Sequence, residues 1–265
     1  MSNPEIKTVL FDMDDTLIDW HNYNGNWGMM EREHMKHVFE HIHSHGQKLT
    51  TDFNIFAEVY RDNVIEGWTS ARSTLRAPHM AKIMLATLKH FGFEETSECN
   101  ITTCLHAYNW RGAPDVVRFP DVHEALDALL ERGIQIGILT NAFQPMWVRE
   151  AELERFDLMR YFPESETRMS AADLGYLKPH PQVFKEALKN MGASAKHTIY
   201  VGDNPVADIA GAQGAGMRAV LRVNQKPPTI MNGLIVPDAI VRSLMELLPL
   251  LDDWHAHAER DLSVF

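Results

Sequence analysis

Asp12-Met13-Asp14-Asp15-Thr16 follows directly on the apolar run Val9-Leu10-Phe11. Two carboxylates two residues apart, just past a short strand, can turn into one site. One can then attack as a nucleophile while the other moves protons. Anions so close repel each other unless a cation or a shared proton offsets them. Five later residues bear on that requirement. Thr140 and Asn141 close the apolar run 134–139, where a hydroxyl and backbone N–H groups can grip the oxygens of a transferring group. Lys178 stands before Pro179, which biases it to an extended conformation that can aim its charge into the site. Asp203, in Gly202-Asp203, follows the run 197–201, with Asp208 five residues on. Simpler roles stay open for two of these: Asn141 as a helix N-cap, and Asp208 as an anion at a helix N-terminus.

Four apolar runs, 7–11, 134–139, 197–201 and 217–223, read as buried parallel strands. Helical patterns over 122–132, 181–191, 205–214 and 241–250 lie among them, and Pro145 opens another helix. Such alternation predicts an α/β fold: a Rossmann-like parallel sheet with helices on both faces. Ligands in such sheets bind at the carboxyl ends of the strands, where the polar clusters fall.

The segment from Leu17 to Arg118 shows no strong strand. Met35, Val38, Phe39 and Ile42 keep helical spacing, as do Phe53, Phe56, Tyr60 and Val64. Met80, Ile83, Met84, Thr87, Leu88 and Phe91 give a third face, and Ile101, Cys104, Leu105 and Tyr108 a fourth. The expectation is an inserted all-helical cap over 17–118, with the core formed by 1–16 and 119–265. The insertion leaves the core just after the acidic loop, so it is placed over the site.

A net charge of −11 over 265 residues argues against nucleic acid or an anionic membrane as main partner. A local metal or lysine can still admit a small anion. Hydrophobic content of 45% and charged content of 23% suit a globular protein. Two cysteines, Cys99 and Cys104, are too few for a disulfide framework and read as free thiols in a reducing compartment. With no apolar stretch of signal or membrane length, the expected setting is the cytoplasm.

Phe11-Asp12-Met13-Asp14-Asp15-Thr16-Leu17, then Leu139-Thr140-Asn141, then Lys178-Pro179, then Gly202-Asp203 with Asp208, resemble the four motifs of the haloacid dehalogenase (HAD) superfamily, in order. The insertion resembles the C1-type cap of its subfamily I phosphatases. The resemblance implies a Mg²⁺-dependent phosphatase acting on a small phosphorylated metabolite, as monomer or homodimer. Asp12 is the expected nucleophile, forming an aspartyl-phosphate, and Asp14 the expected acid and base. Thr140, Asn141 and Lys178 are expected to hold phosphate. The metal set is Asp12, Asp14, Asp203 and Asp208, with Asp14 ligating through its backbone carbonyl and Asp208 orienting Lys178 or a water. Mg²⁺ suits such oxygen donors.

Other chemistries on the same motifs are a phosphosugar mutase, a phosphonatase and a dehalogenase. The family's dehalogenases lack the second aspartate, which is present here as Asp14. A non-catalytic phosphate-binding protein is a further reading, since a fold alone establishes no activity. In the cap, Trp20, His21, Asn22 and Tyr23 are expected to line the pocket, and Arg72, Arg76 and Arg111 to meet a second anion. His34, His37, His41 and His45 form a stripe read as a solvated or partly packed face, with a second metal site as the alternative. Gly211, Gly214 and Gly216 are assigned to helix packing and exit.

Overall fold

The computed structural model describes residues 5–224 and 234–262. Its central sheet contains β1 (Thr8–Phe11), β4 (Gln135–Thr140), β5 (Arg168–Ser170), β6 (Thr198–Gly202), β7 (Arg218–Arg222) and β8 (Ala239–Val241). All neighbours are parallel, in the order β5-β4-β1-β6-β7-β8. Strand β1 lies at the switch point, with Phe11 paired to Ile138 on one side and Val201 on the other. The crevice beyond its carboxyl end is where this topology places a ligand.

Successive side chains of a strand point to opposite faces. Val9 and Phe11 therefore join Ile138, Val201 and Leu126 in one buried cluster, while Leu10 joins Leu139, Tyr200 and Phe184 in another. Burial on both faces explains why these strands read as continuous apolar runs. The helices are α5 (Val122–Glu131), α6 (Met146–Arg155), α7 (Ala171–Leu174), α8 (Pro181–Asn190), α9 (Gly211–Gly214) and α10 (Leu247–Leu262).

A two-stranded antiparallel ribbon, β2 (Ile18–Asp19) with β3 (Val117–Arg118), brackets the insertion, pairing Ile18 with Arg118. Every regular element between them is helical: α1 (Trp27–Ser44), α2 (Phe53–Thr74), α3 (Met80–His90) and α4 (Ile101–Tyr108). Asn26, Asp52 and Asn100 cap α1, α2 and α4 through their side chains. Met35, Val38, Ile42, Phe56, Tyr60, Met84, Leu88, Cys104 and Tyr108 form the buried interior of this bundle. Phe143 and Val148, from the α/β unit, join the same cluster.

Three features depart from the sequence reading. The helix expected over 241–250 is instead strand β8, a 3₁₀ turn at Leu244–Glu246 and the start of α10. Val241 and Leu244 pack into the sheet's cluster, so a short parallel edge strand precedes the helix. The ribbon and β5 were not anticipated, because two or three residues carry no readable periodicity. The helix expected over 205–214 divides into a π-helical segment, Pro205–Ala210, and α9. Residues 254–262 continue α10, and the Ile6 N–H donates to His255 Nε2 at 3.0 Å.

Candidate active site

Asp12 is the first residue past β1, and its N–H still donates to the Val201 carbonyl at 2.8 Å. The chain then doubles back: the N–H groups of Leu17 and Ile18 both donate to the Met13 carbonyl, and Asp15 N–H to Ile18. Asp15 makes the bend with φ of 56°, a left-handed conformation that aspartate tolerates better than most residues. Met13 is fully buried between the two carboxylates.

Lys178 is buried, and its ammonium donates to Asp12 Oδ1 at 2.7 Å, Asp208 Oδ1 at 2.7 Å and Tyr200 Oη at 2.8 Å. Three acceptors satisfy all three of its protons. Burial alone would depress its pKa, but the flanking carboxylates outweigh it and push the amine up to about 12. Tyr200 donates onward to the Leu139 carbonyl at 2.8 Å. Asp208 Oδ2 accepts the Asn204 N–H at 2.9 Å, so this carboxylate is spent on Lys178 and on its own loop. The Asn141 side chain closes a pair of hydrogen bonds with the Lys178 peptide, Oδ1 accepting its N–H at 2.8 Å and Nδ2 donating to its carbonyl at 3.0 Å. That amide pins the lysine loop to the end of β4. The Lys178–Pro179 peptide is cis.

Asp12, Asp203 and Asp208 each present a carboxylate oxygen, all within 4.8 Å of one another. Burial, reinforced by Asp208 and Asp15 and only partly relieved by Lys178, pushes the Asp203 carboxyl up to about 7. Burial likewise raises Asp12 well above the carboxylate range despite Lys178, with Asp208 and Asp14 adding to the rise. The cluster is short of positive charge, and its donors are all hard oxygens. It therefore fits a small divalent cation such as Mg²⁺.

Asp14 faces a different environment. Arg149 of α6 forks onto it, NH2 donating to Oδ1 at 2.8 Å and NH1 to Oδ2 at 3.2 Å. Trp20 Nε1 donates to Oδ1 at 2.8 Å and the Thr140 hydroxyl to Oδ2 at 3.1 Å. Burial works against ionisation, but Arg149 and these hydrogen bonds prevail and hold the Asp14 carboxyl below its ordinary value. Arg149 in turn donates from Nε to Glu152, which is fully buried and also accepts Trp110 Nε1 at 2.8 Å. Trp27, at the start of α1, packs between the indoles of Trp20 and Trp110, with ring centroids at 6.0 and 5.7 Å. Asp14, Arg149, Glu152, Trp110, Trp27 and Trp20 thus form a closed circuit through core and insertion.

Each sequence-derived candidate has a distinct place. Asp12, Lys178, Asp203 and Asp208 converge. Thr140 and Asn141 sit beside them, yet the hydroxyl of one is given to Asp14 and the amide of the other to Lys178. Trp20 and Tyr23 pack edge to face at 5.6 Å, and Trp20 faces the site through Asp14. His21 and Asn22 are exposed, as are Arg72, Arg76 and Arg111. Arg76 lies over the Tyr176 ring at 4.2 Å, and Arg111 donates to Asn109. Gly211 packs against Phe184 and the Pro179 backbone, a close approach that suits its packing role. Sequence reading missed Arg149, Glu152, Trp110 and Tyr200. A signal existed for the first: Arg149 falls three residues after Met146 and four before Leu153, on the buried stripe of α6.

The family model for haloacid dehalogenase-like hydrolases matches residues 6–216, and the chain belongs to that family. Pyrophosphatase PpaX of Bacillus mycoides is 25% identical over 93% of this chain and 97% of its own. The glyceraldehyde 3-phosphate phosphatase of Methanocaldococcus jannaschii is 26% identical over the same shares of the two chains, 93% and 97%. Among solved structures, a 2-haloacid dehalogenase from Pseudomonas syringae pv. Tomato superposes with a TM-score of 0.59 at 28% identity, covering 94% of this chain and 99% of that one. The HAD-hydrolase YfnB of Bacillus subtilis, solved with magnesium, shares the fold at 0.53 and 21% identity over 94% and 99%. No helix among the described residues is long and apolar enough to cross a membrane.

Proposed function

We propose that this protein is a Mg²⁺-dependent phosphatase that hydrolyses small phosphomonoesters through an aspartyl-phosphate on Asp12. The observation that carries the reading is the pairing of Asp12, held by Lys178, with Asp14, held in a separate set of donors. Phosphatase relatives over nearly the whole chain support it.

Asp12, Asp203 and the Asp14 carbonyl would hold the cation, with Asp208 positioning Lys178. The bound cation would supply charge that keeps Asp12 ionised and offsets the phosphoryl oxygens. Lys178 neutralises a further share of that charge from its buried seat. Asp12 Oδ attacks phosphorus in line and the ester oxygen departs with a proton from Asp14. Asp14 then takes a proton from the water that cleaves the aspartyl-phosphate. For the acid step Asp14 must carry a proton, so the Arg149 fork has to open or yield as substrate binds. Residues 17–118 act as the cap, moving about the β2–β3 ribbon to admit substrate and exclude water. The setting is the cytoplasm.

Displacement of halide, the chemistry named for one structural relative, involves a leaving group that takes no proton. The four donors arranged around Asp14 would serve no purpose in it. The test is phosphate release from p-nitrophenyl phosphate and a panel of metabolite phosphates, with Mg²⁺ and with EDTA, for wild type and Asp12→Asn. Magnesium-dependent release lost in the variant is expected. Absence of release across the panel, with halide freed from 2-haloacids instead, would overturn the reading.

A further inference from the structure

The C-terminal end of α1 and the N-terminal end of α4 bring together four residues unrelated to the catalytic carboxylates. His41 and His45 stand one turn apart and share a face of α1. Cys99 precedes the Asn100 cap of α4, and Cys104 lies in its first turns. One ring nitrogen from each histidine and the Cys99 Sγ all lie within 4.8 Å of one another. Both thiols are free and buried.

The surrounding hydrogen bonds fix the histidine tautomers. The Thr103 hydroxyl gives its proton to the Asn100 carbonyl at 3.0 Å, so toward His41 it accepts, from Nε2–H at 3.0 Å. His41 Nδ1 keeps its lone pair. His45 Nδ1 lies 2.8 Å from the His41 carbonyl, an acceptor only, so it carries the proton and Nε2 keeps the lone pair. Ring N–H groups held this way by oxygen acceptors are the usual orienting partners of metal-bound histidines.

We propose that His41, His45, Cys99 and Cys104 form a structural zinc site in the helical insertion. The spacings His-x₃-His and Cys-x₄-Cys fall within the range of closed Cys₂His₂ centres. Tetrahedral zinc with bonds of about 2.0–2.3 Å sets its donors roughly 3.3–3.8 Å apart. The His41, His45 and Cys99 donors therefore close by at most about 1.5 Å, and Cys104 turns in from the first turns of α4 as the fourth ligand. Two soft thiolates select zinc over the hard cation suited to the carboxylate cluster. Cys99 and Cys104 each release the thiol proton to solvent as the Zn–S bonds form, leaving a neutral centre. His45 is exposed and provides the entry path. The bound ion would staple α1 to α4, adding to the His41–Thr103 hydrogen bond that already joins them at this end.

The experiment is stoichiometric titration of the reduced, metal-stripped full chain with Co²⁺ and then Zn²⁺. Expected are one equivalent showing thiolate-to-cobalt charge transfer and tetrahedral d–d bands, displacement of cobalt by zinc, and a rise in the melting temperature. His45→Ala changes an exposed residue and should keep the fold but lose the spectrum. Asp12→Asn with Asp203→Asn should keep it, which separates this site from the catalytic cluster. The proposal is overturned if wild type shows no thiolate band, or if His45→Ala and Cys99→Ser bind zinc as wild type does. Quantitative Cys99–Cys104 disulfide formation, with no cobalt uptake by the reduced chain, would overturn it too.

Discussion

Arg149 grips both oxygens of Asp14, and it does so from a buried position that Glu152 anchors. The fork fixes where the candidate acid points, and a lysine cannot reproduce two parallel N–H donors. Arg149→Lys should lower kcat by roughly 10- to 100-fold with a smaller change in KM, as expected for an effect on the reacting geometry. Arg149→Ala is the poorer variant, because it leaves Glu152 buried without its cation, at a cost of about 3–5 kcal/mol. Steady-state kinetics of Arg149→Lys, with a melting curve to confirm the fold, make the check. An unchanged kcat would remove Arg149 from the machinery.

Asp12→Asn should abolish turnover while leaving the fold intact, since the amide still offers Lys178 an oxygen. Asp14→Asn should cost about 10²–10⁴-fold in kcat, the usual worth of a general acid and base. Rapid-quench phosphoenzyme trapping separates the two. Asp12→Asn should form no acid-stable adduct, and Asp14→Asn should form one slowly and discharge it slowly.

Gly202 ends β6 against Asp208. A Cβ there would stand 2.3 Å from the Asp208 Cγ, inside any permissible contact. Gly202→Ala should displace that carboxylate, free one proton of Lys178, and cost about 1–3 kcal/mol in stability. Its kcat should fall well below that of wild type. Near-normal activity and melting would mean that Asp208 has room to retreat.

The Asn141 amide makes two hydrogen bonds to the Lys178 peptide in a partly buried setting. Asn141→Ala should therefore destabilise by on the order of 1–3 kcal/mol and lower kcat through misplacement of the lysine. Asn141→Asp keeps the acceptor and loses the donor, so it should fall between wild type and alanine in thermal denaturation. An alanine variant as stable as wild type would contradict this role.

Glu31 of α1 is only 5% exposed, and its Oε1 has no hydrogen-bond partner. Burial, partly countered by Arg61, pushes its carboxyl from an ordinary 4.5 up to about 7. Between those values the folded chain keeps a proton that the unfolded chain releases. This group's contribution is thus fully present below 4.5 and is lost as pH rises through 7. Glu31→Gln removes the titration, so its stability relative to wild type should climb between pH 5 and 8, by on the order of 1–3 kcal/mol. Urea denaturation at both pH values reads this directly, and parallel stabilities would refute it.

The parallel strands, the helical insertion and the convergence of Asp12, Lys178, Asp203 and Asp208 were legible because each rests on local pattern. An apolar run fixes a buried strand, and the residue after it falls at the sheet's carboxyl edge. The environment of Asp14 was not legible, since it depends on which face α6 turns inward and on indoles from both ends of the insertion. The same limit hid the meeting of His41, His45 and Cys99. The histidines read as a stripe on one helix, and only packing of α1 against α4 brings a thiol to them. Strand β8 was lost for a different reason: Val241 satisfies a helical pattern with the residues after it, and tertiary pairing with β7 overrides that pattern.

The ribbon of Ile18–Asp19 and Val117–Arg118 has an evolutionary consequence. Paired strands lie about 5 Å apart, so the chain departs from the sheet and rejoins it at nearly one point. Loop-closure entropy grows only slowly with length, so the folding cost is insensitive to how much sequence is spliced there. On the proposed reading, catalysis and recognition then become separately heritable: a lineage can exchange one insertion for another while the aspartates keep their places. The circuit through Asp14 sets one condition on such grafts, because any replacement must still bring hydrogen-bond donors to where Trp20 and Trp110 now stand.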